Sequence, residues 1–410
     1  MEKSIFLFVL ILFLGFVSCT VDESDATGDS DDRDVAETVD DEGKLPDDST
    51  EYSKEDDSEN YDEKPDDVPE IPDGGSDIPD DGHHSELESI SDLIVTDTTD
   101  SISLSWKNPE ADGFQQTVIV QRLDRYAEHR YDGDVIYEEN GESHTLTDVE
   151  IGETYFFTVF ACYGPSGCSE GVNGYAQPCY SQLDVVFSMD VSTSMDFILE
   201  DLENELGLVW DFIQNTFSEE PRLGLTVFVD DVTVTNNGEP FETQAELQSE
   251  FNKWRLHTST NRQTQSNASN TDWPENSLDS IAFSARDFNW RDSKETLRII
   301  VHSTDDTFYE YPDSFSSGIA VEYTYDETIE LLVNEKIRVA AFAAKLGGRF
   351  GNVNVEPGFF TDYNGKPSIP EATGGEVYLI NDVENGTLHV YQVINDFIKN
   401  VMCQSYDQKL

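Results

Sequence analysis

Between residues 180 and 403, short apolar runs alternate with stretches of helical period, and this alternation constrains the fold more than any other feature of the chain. The runs at 183–187, 223–229, 297–302 and 337–344 are apolar nearly throughout, as strands covered on both faces are. A shorter run at 232–234 offers a further strand. Between the runs lie 196–217, 244–254, 275–288, 328–334 and 389–402, where apolar residues return every third or fourth position and predict helices. Strand and helix in turn give an α/β fold: a doubly wound, mostly parallel sheet with helices on both faces. Such sheets bind their ligands where the strands end, so the residues after each run carry the functional signal.

Three segments stand at such places. Asp190-Val191-Ser192-Thr193-Ser194 follows the first run, Asn270-Thr271-Asp272-Trp273-Pro274-Glu275 precedes a helical stretch, and Ser303-Thr304-Asp305-Asp306 closes a later run. Together they offer carboxylates, hydroxyls and an amide, with no His or Cys. These are hard oxygen donors, suited to Mg²⁺ or Ca²⁺ rather than to zinc or copper. Alternation along an extended loop points Asp190, Ser192 and Ser194 the same way. Asp305 ends a central strand, and Glu275 opens a helix whose dipole favours an anion. One cation would satisfy carboxylates that otherwise repel one another.

The chain carries 85 acidic residues against 24 Lys and Arg, a formal charge of −61 over 410 residues. That balance excludes nucleic acid and anionic membrane surfaces as partners, since both require a basic face. Residues 1–18 read as an export signal, with Lys3 followed by an apolar run too short to span a bilayer. The run ends Phe16-Val17-Ser18-Cys19, which resembles the lipobox of bacterial lipoproteins. The resemblance implies cleavage before Cys19, acylation of that cysteine, and a membrane link through this anchor only. Thr20, rather than Asp, after Cys19 fits the cell surface or outer membrane.

Residues 19–88 hold dense Asp, Glu, Ser and Pro with few apolar side chains; they predict a disordered acidic stalk that cannot bury a core. Residues 89–178 change character, with alternating runs at 101–106, 117–120 and 154–159 separated by turn signals such as Gly133-Asp134 and Asn140-Gly141. This is a β-sandwich pattern. It resembles a fibronectin type III domain, with Trp106 as the core tryptophan, Leu146 as the matching leucine and Tyr155 as the corner tyrosine. Four further cysteines suit an exported chain. Cys162 and Cys168 could staple a hairpin and Cys179 and Cys403 could tie the ends of the α/β segment, although four cysteines allow three pairings.

Over residues 179–405 the motifs resemble a von Willebrand factor type A domain, and within that family the I-like domain of integrin β subunits. Asp190-Val191-Ser192-Thr193-Ser194-Met195 matches Asp-x-Ser-x-Ser-Met, and Asn270-Thr271-Asp272-Trp273-Pro274-Glu275 matches the Asn-x-Asp-x-Pro-Glu loop. The segment 222–230 is similar to the family's second strand, while 289–291 and 301–305 are similar to a later helix end and strand. The resemblance implies a Rossmann-like sheet and two cation sites. A metal-ion-dependent adhesion site (MIDAS) would hold Mg²⁺ on Ser192, Ser194 and Glu275, with Asp190 and Asp305 direct or through water. An adjacent Ca²⁺ site would use Asp230, Asn270, Asp272, the Pro274 carbonyl and the shared Glu275. A third family site needs acids just after Met195, where Phe197 and Ile198 stand and only Asp196 is acidic. The type A domains of von Willebrand factor itself carry bridged terminal cysteines, as Cys179 and Cys403 would be.

The function this implies is metal-dependent adhesion to a protein partner that presents an Asp or Glu carboxylate. The loop 256–269 and the aromatic segment Phe308-Tyr309-Glu310-Tyr311 would flank the site and select the partner. The alternative is a structural or assembly subunit of an envelope complex with a stabilising metal. Catalysis is not expected: no Ser-His-acid set is present, and His302 lies among apolar strand residues.

Overall fold

The computed structural model describes residues 87–345 and 353–406. The expectations for the export signal, Cys19 and nearly all of the acidic stalk lie outside the described residues. Among the described residues no helix is long and apolar enough to cross a membrane.

The first described part is an all-β sandwich of seven strands: β1 (Ser91–Asp97), β2 (Ser101–Lys107), β3 (Gln116–Arg122), β4 (Asp134–Glu139), β5 (Ser143–Thr147), β6 (Tyr155–Cys162) and β7 (Val172–Ala176). Three of them form the sheet β1-β2-β5 and four the sheet β4-β3-β6-β7, with every pairing antiparallel. Alternate residues of both sheets fill the space between them. Ile102, Leu104 and Trp106 meet Ile119, Phe157 and Val159 there. The Tyr155 hydroxyl accepts a hydrogen bond from the Glu150 backbone N–H at 2.9 Å, pinning the turn before its own strand. Asn140-Gly141 joins β4 to β5, so it carries the chain from one sheet to the other and is not a hairpin turn. Cys162 pairs with Cys168 at the start of β7's approach.

The second part is the α/β layer structure that the alternation requires. Its strands are β8 (Gln182–Asp190), β9 (Arg222–Phe228), β10 (Val232–Val234), β11 (Thr296–Thr304), β12 (Ile337–Ala343) and β13 (Glu376–Leu379). Its helices are α1 (Asp196–Thr216), α2 (Gln244–Thr258), α3 (Ser277–Asp287), α4 (Tyr325–Asn334), α5 (Ile369–Ala372), α6 (Ile380–Glu384) and α7 (Val390–Val401). The sheet runs β10-β9-β8-β11-β12-β13; β10 pairs antiparallel with β9 and every other pair is parallel.

Each face of this sheet has its own core. On one face Val185, Phe187 and Met189 of β8 pack against Leu199, Leu202, Leu206 and Val209 of α1, Phe251 of α2 and Ile394 and Phe397 of α7. On the other face Val186 and Ile300 meet Leu278 and Ile281 of α3 and Leu332 of α4. Two of the helices start where their sequences cap them. Thr243 with Glu246, and Thr324 with Glu327, form reciprocal capping boxes at α2 and α4, each satisfying two otherwise orphaned N–H groups. A second disulfide joins Cys179 to Cys403 and ties the two ends of this part.

The strand order decides where a site can form. After β8 the chain adds β9 and β10 on one side, then crosses to place β11 on the other side of β8. The order therefore reverses between β8 and β11, leaving a crevice at their carboxyl ends. Parallel register pairs Met189 with Ser303, so Asp190 and the Thr304-Asp305 pair emerge side by side at that crevice.

Several boundaries differ from the sequence expectation. Glu275 does not open α3: the helix begins at Ser277, because the Glu275 and Asn276 N–H groups are taken by the Thr307 and Val229 carbonyls. Helix α2 continues to Thr258, so residues 256–258 of the expected loop 256–269 are helix. The four-residue edge strand β13 and the short helices α5 and α6 had no distinct sequence signal, since each is too short to show a period.

Candidate metal centre

The site is built on the ends of β8, β9 and β11 and on the loop before α3. Asp190 is the last residue of β8 and is fully buried. Its Oδ1 accepts the Ser192 backbone N–H at 2.8 Å and its Oδ2 accepts the Thr304 hydroxyl at 2.9 Å. The loop beyond it brings the Ser192 and Ser194 hydroxyls within 3.0 Å of each other, and Ser194 donates to Asp305 Oδ1 at 2.9 Å. Asp305, one residue past β11, is itself buried.

Glu275 approaches from the other side. It is 1% exposed. Its Oε1 accepts the Asn270 side-chain amide at 2.7 Å, while its Oε2 is buried with no hydrogen-bond partner. Asn270 Oδ1 is also buried and without a partner. Ser192, Ser194, Asn270, Asp272, Glu275 and Asp306 line one cavity of about 240 Å³, with Asp190 and Asp305 standing behind the two serines. A larger groove of about 900 Å³ runs along α2 and is lined by Glu239, Glu242, Glu246 and Glu250, but no unpartnered buried oxygen faces it.

The electrostatics describe a cluster of buried carboxylates that raise one another's affinity for protons. Burial, and then the Asp305 carboxylate, pushes Asp190 up to about 7. Burial and the charges of Asp190 and Asp230 hold Glu275 well above the usual carboxylate range. Asp306 is pushed up to about 8 by burial and by Asp190 and Asp305. Each of these carboxylates is easier to protonate than it would be in water, first because burial penalises its charged form and then because its acidic neighbours repel it.

The residues expected at the adjacent site are only partly brought together. Asp230 lies two residues beyond β9 and is fully buried. Its Oδ2 accepts the Gln263 amide at 2.8 Å, and Gln263 Oε1 accepts the Asp230 N–H at 3.0 Å. Burial pushes Asp230 up to about 6. Asn270 and Glu275 face each other as described. Asp272 is turned elsewhere: its two oxygens accept the Ser316 N–H at 2.8 Å and the Ser316 hydroxyl at 2.6 Å. The loop 313–320 thus competes with a cation for Asp272. Pro274 stands in the same loop, half-buried.

Three contributors were not singled out from the sequence. Thr304 orients Asp190, Gln263 braces Asp230, and Asp306 lines the cavity. Asp306 had the clearest signal, as a second acid directly after a strand-terminal Asp. The aromatic segment behaves differently from the expectation of a specificity loop. Phe308 stacks on Tyr325 and contacts Phe359 and Tyr363 inside the second core. Glu310 accepts the Tyr325 N–H, and only Tyr311 is largely exposed. Of residues 259–269, Asn261 reaches the cavity wall. His302 is a core residue between the rings of Phe228 and Phe359, with Nδ1 3.0 Å from the Ser188 hydroxyl.

Among the described residues no three His, Cys, Asp or Glu side chains close into a metal cage by themselves. The donor set here is mixed, with hydroxyls and an amide between the carboxylates. It still fits a hard cation, because Glu275 Oε2 and Asn270 Oδ1 are buried oxygens with nothing to bind and an unsatisfied buried carboxylate oxygen is costly.

No known family model matches the chain, and no curated protein matches it. Among solved structures, it is similar to a fibronectin type III domain of human collagen XX, at 23% identity over 21% of this chain and 86% of that one, with a TM-score of 0.18. It is also similar to a segment of two fibronectin type III domains from chicken tenascin, at 20% identity over 23% of this chain and 51% of that one, with a TM-score of 0.19. The seven-stranded unit is an antiparallel β-sandwich of a three-stranded and a four-stranded sheet.

Proposed function

We propose that this chain is a surface adhesion protein whose α/β part binds a protein partner through a divalent cation. The observation that carries the reading is the set of oxygen donors at the β8/β11 crevice, with Glu275 Oε2 buried and unsatisfied. Ser192, Ser194 and Glu275 would hold Mg²⁺ from the cavity wall, with Asp190 and Asp305 supporting from behind. Asp230, Asn270, Asp272 and the Pro274 carbonyl, sharing Glu275, would hold Ca²⁺ beside it. A bound divalent ion would supply a Lewis-acidic centre attractive to a partner's Asp or Glu carboxylate.

The strand order and the Asp-x-Ser-x-Ser and Asn-x-Asp-x-Pro-Glu segments support placing this part with the von Willebrand factor type A domains, nearest in motif to the integrin β I-like domain. The two disulfides support export. Cys19 would carry the lipid anchor, and the sandwich would act as a spacer. No enzymatic role is proposed, since His302 is sealed in the core away from the carboxylates.

The test is the melting temperature of the full chain with and without Mg²⁺ or Ca²⁺, beside Asp190→Ala. A cation-dependent rise that Asp190→Ala loses supports the site. Absence of any shift in the wild type with either ion overturns it. Partner capture that survives chelation would instead favour a permanent assembly role.

A further inference from the structure

Asp306 is the acid of this cavity to which the motif resemblance assigns no ligand role. It is 6% exposed and lines the cavity with Ser192, Ser194 and Glu275. Its hydrogen bonding is weak for a buried carboxylate: one contact, from its neighbour Thr307 N–H, at 3.2 Å. Among the described residues no Lys, Arg or His forms an ion pair with it, whereas every well-buried acid away from the cluster has strong donors. Asp184, for example, is held by Arg291 at 2.6 Å, and Asp279 accepts three N–H groups.

The same cavity wall carries Glu275 Oε2, buried and without a partner. Two acids on one cavity, one with an orphaned oxygen and the other scarcely bonded, call for a shared cation, because a buried charge persists only when paired or coordinated.

We propose that Asp306 is a direct ligand of the cation held by Ser192, Ser194 and Glu275, and that it caps the ion from within the chain. This rests on the cation-site reading above and adds regulation to it. A single divalent ion does not balance Glu275 and Asp306 on the cavity wall together with Asp190 and Asp305 behind it, so the cluster stays net negative. A partner's carboxylate then enters only by displacing Asp306. The site is self-capped, and its affinity for an acidic partner is lower than its affinity for the ion would suggest. The chemistry of the donors, all hard oxygen, fits Mg²⁺ or Mn²⁺ in octahedral surroundings that keep some water.

Mn²⁺ titrated into the full chain tests this, followed by electron paramagnetic resonance for affinity and by water-proton relaxation for the number of waters on the bound ion. Asp306→Asn keeps the shape and removes the charge. The expected result is a roughly tenfold weaker Mn²⁺ affinity and one additional water on the bound ion. Asp313→Asn, an exposed acid on the neighbouring loop, serves as the charge control and should change neither. If Asp306→Asn fails to give the wild-type circular dichroism spectrum, Asp306→Ser provides the same comparison. Unchanged affinity and hydration in a folded variant overturn the capping role while leaving the cation site standing. A wild type that binds no Mn²⁺ overturns the cation site and the cap together.

Discussion

Asp190→Asn isolates the cost of the charge cluster. In the folded protein Asp190 titrates near 7, whereas in an unfolded chain it titrates near 3.9. A raised folded value means the folded state holds its proton to higher pH, so stability is greatest at low pH and is lost as pH rises towards 7. At about 1.4 kcal/mol per unit, ionised Asp190 costs the metal-free fold roughly 4 kcal/mol at pH 8 and about 1–2 kcal/mol at pH 5. Asparagine carries no charge in either state and keeps the local hydrogen bonds. Its Oδ1 accepts from the Ser192 N–H, and its amide donates to the Thr304 hydroxyl, which rotates to accept. The advantage of the variant over the wild type should therefore grow by about 2–3 kcal/mol between pH 5 and pH 8, measured without cations. Urea unfolding followed by tryptophan fluorescence reads this out, since four of the five tryptophans (Trp210, Trp254, Trp273 and Trp290) lie in the α/β part. Added Mg²⁺ should stabilise the wild type more at pH 8 than at pH 5, because protons compete with it, and should leave the variant unmoved. A difference between variant and wild type that is flat or shrinks with rising pH would refute the reasoning.

Three further outcomes follow from other parts of the molecule. Arg338 is almost fully buried on β12 and donates to the carbonyls of Gly374, Gln404 and Ser405; Arg338→Met should lower unfolding free energy by about 3 kcal/mol in urea and loosen the C-terminal segment to proteolysis. His302 is held neutral by burial, down to about 3, so its contribution is complete above pH 6.5 and falls away below it. His302→Asn should flatten the acid limb of the stability curve by about 1.4 kcal/mol per pH unit between 6.5 and 4.5, as seen by comparing denaturation midpoints. The Cys179–Cys403 bridge closes 224 residues, and the paired change to serine should cost about 5 kcal/mol by chain entropy, seen as a lower melting temperature.

Most of the α/β architecture was legible because its cues are local. A strand covered on both faces needs an apolar run, and Val185–Phe187 of β8 and Ile299–Val301 of β11 give one; a helix on a sheet must show a 3.6-residue stripe, and Leu199, Leu202, Leu206 and Val209 in α1 give one. The donors at the strand ends were legible for the same reason, since a polar residue after an apolar run has only the rim to occupy. Elements with weak local signals were missed, as with the four residues of β13, which pair only because β12 offers a free edge.

Amino-acid order alone thus determined the layers and the oxygen chemistry of Asp190, Ser192, Ser194, Glu275 and Asp305, while the strand order placed the crevice between β8 and β11. Tertiary structure decided how those oxygens are used. Register between β8 and β11 sets Thr304 against Asp190. Backbone bonds to Val229 and Thr307 hold Glu275 outside its helix. Gln263, 33 residues from Asp230 in sequence, closes on it in space. The Ser316 loop claims Asp272, and Asp306 turns into the cavity. Periodicity along a chain reports which face a residue takes, but the direction of a carboxylate at a strand end is fixed by partners tens of residues away, and those exist only once the sheet has formed.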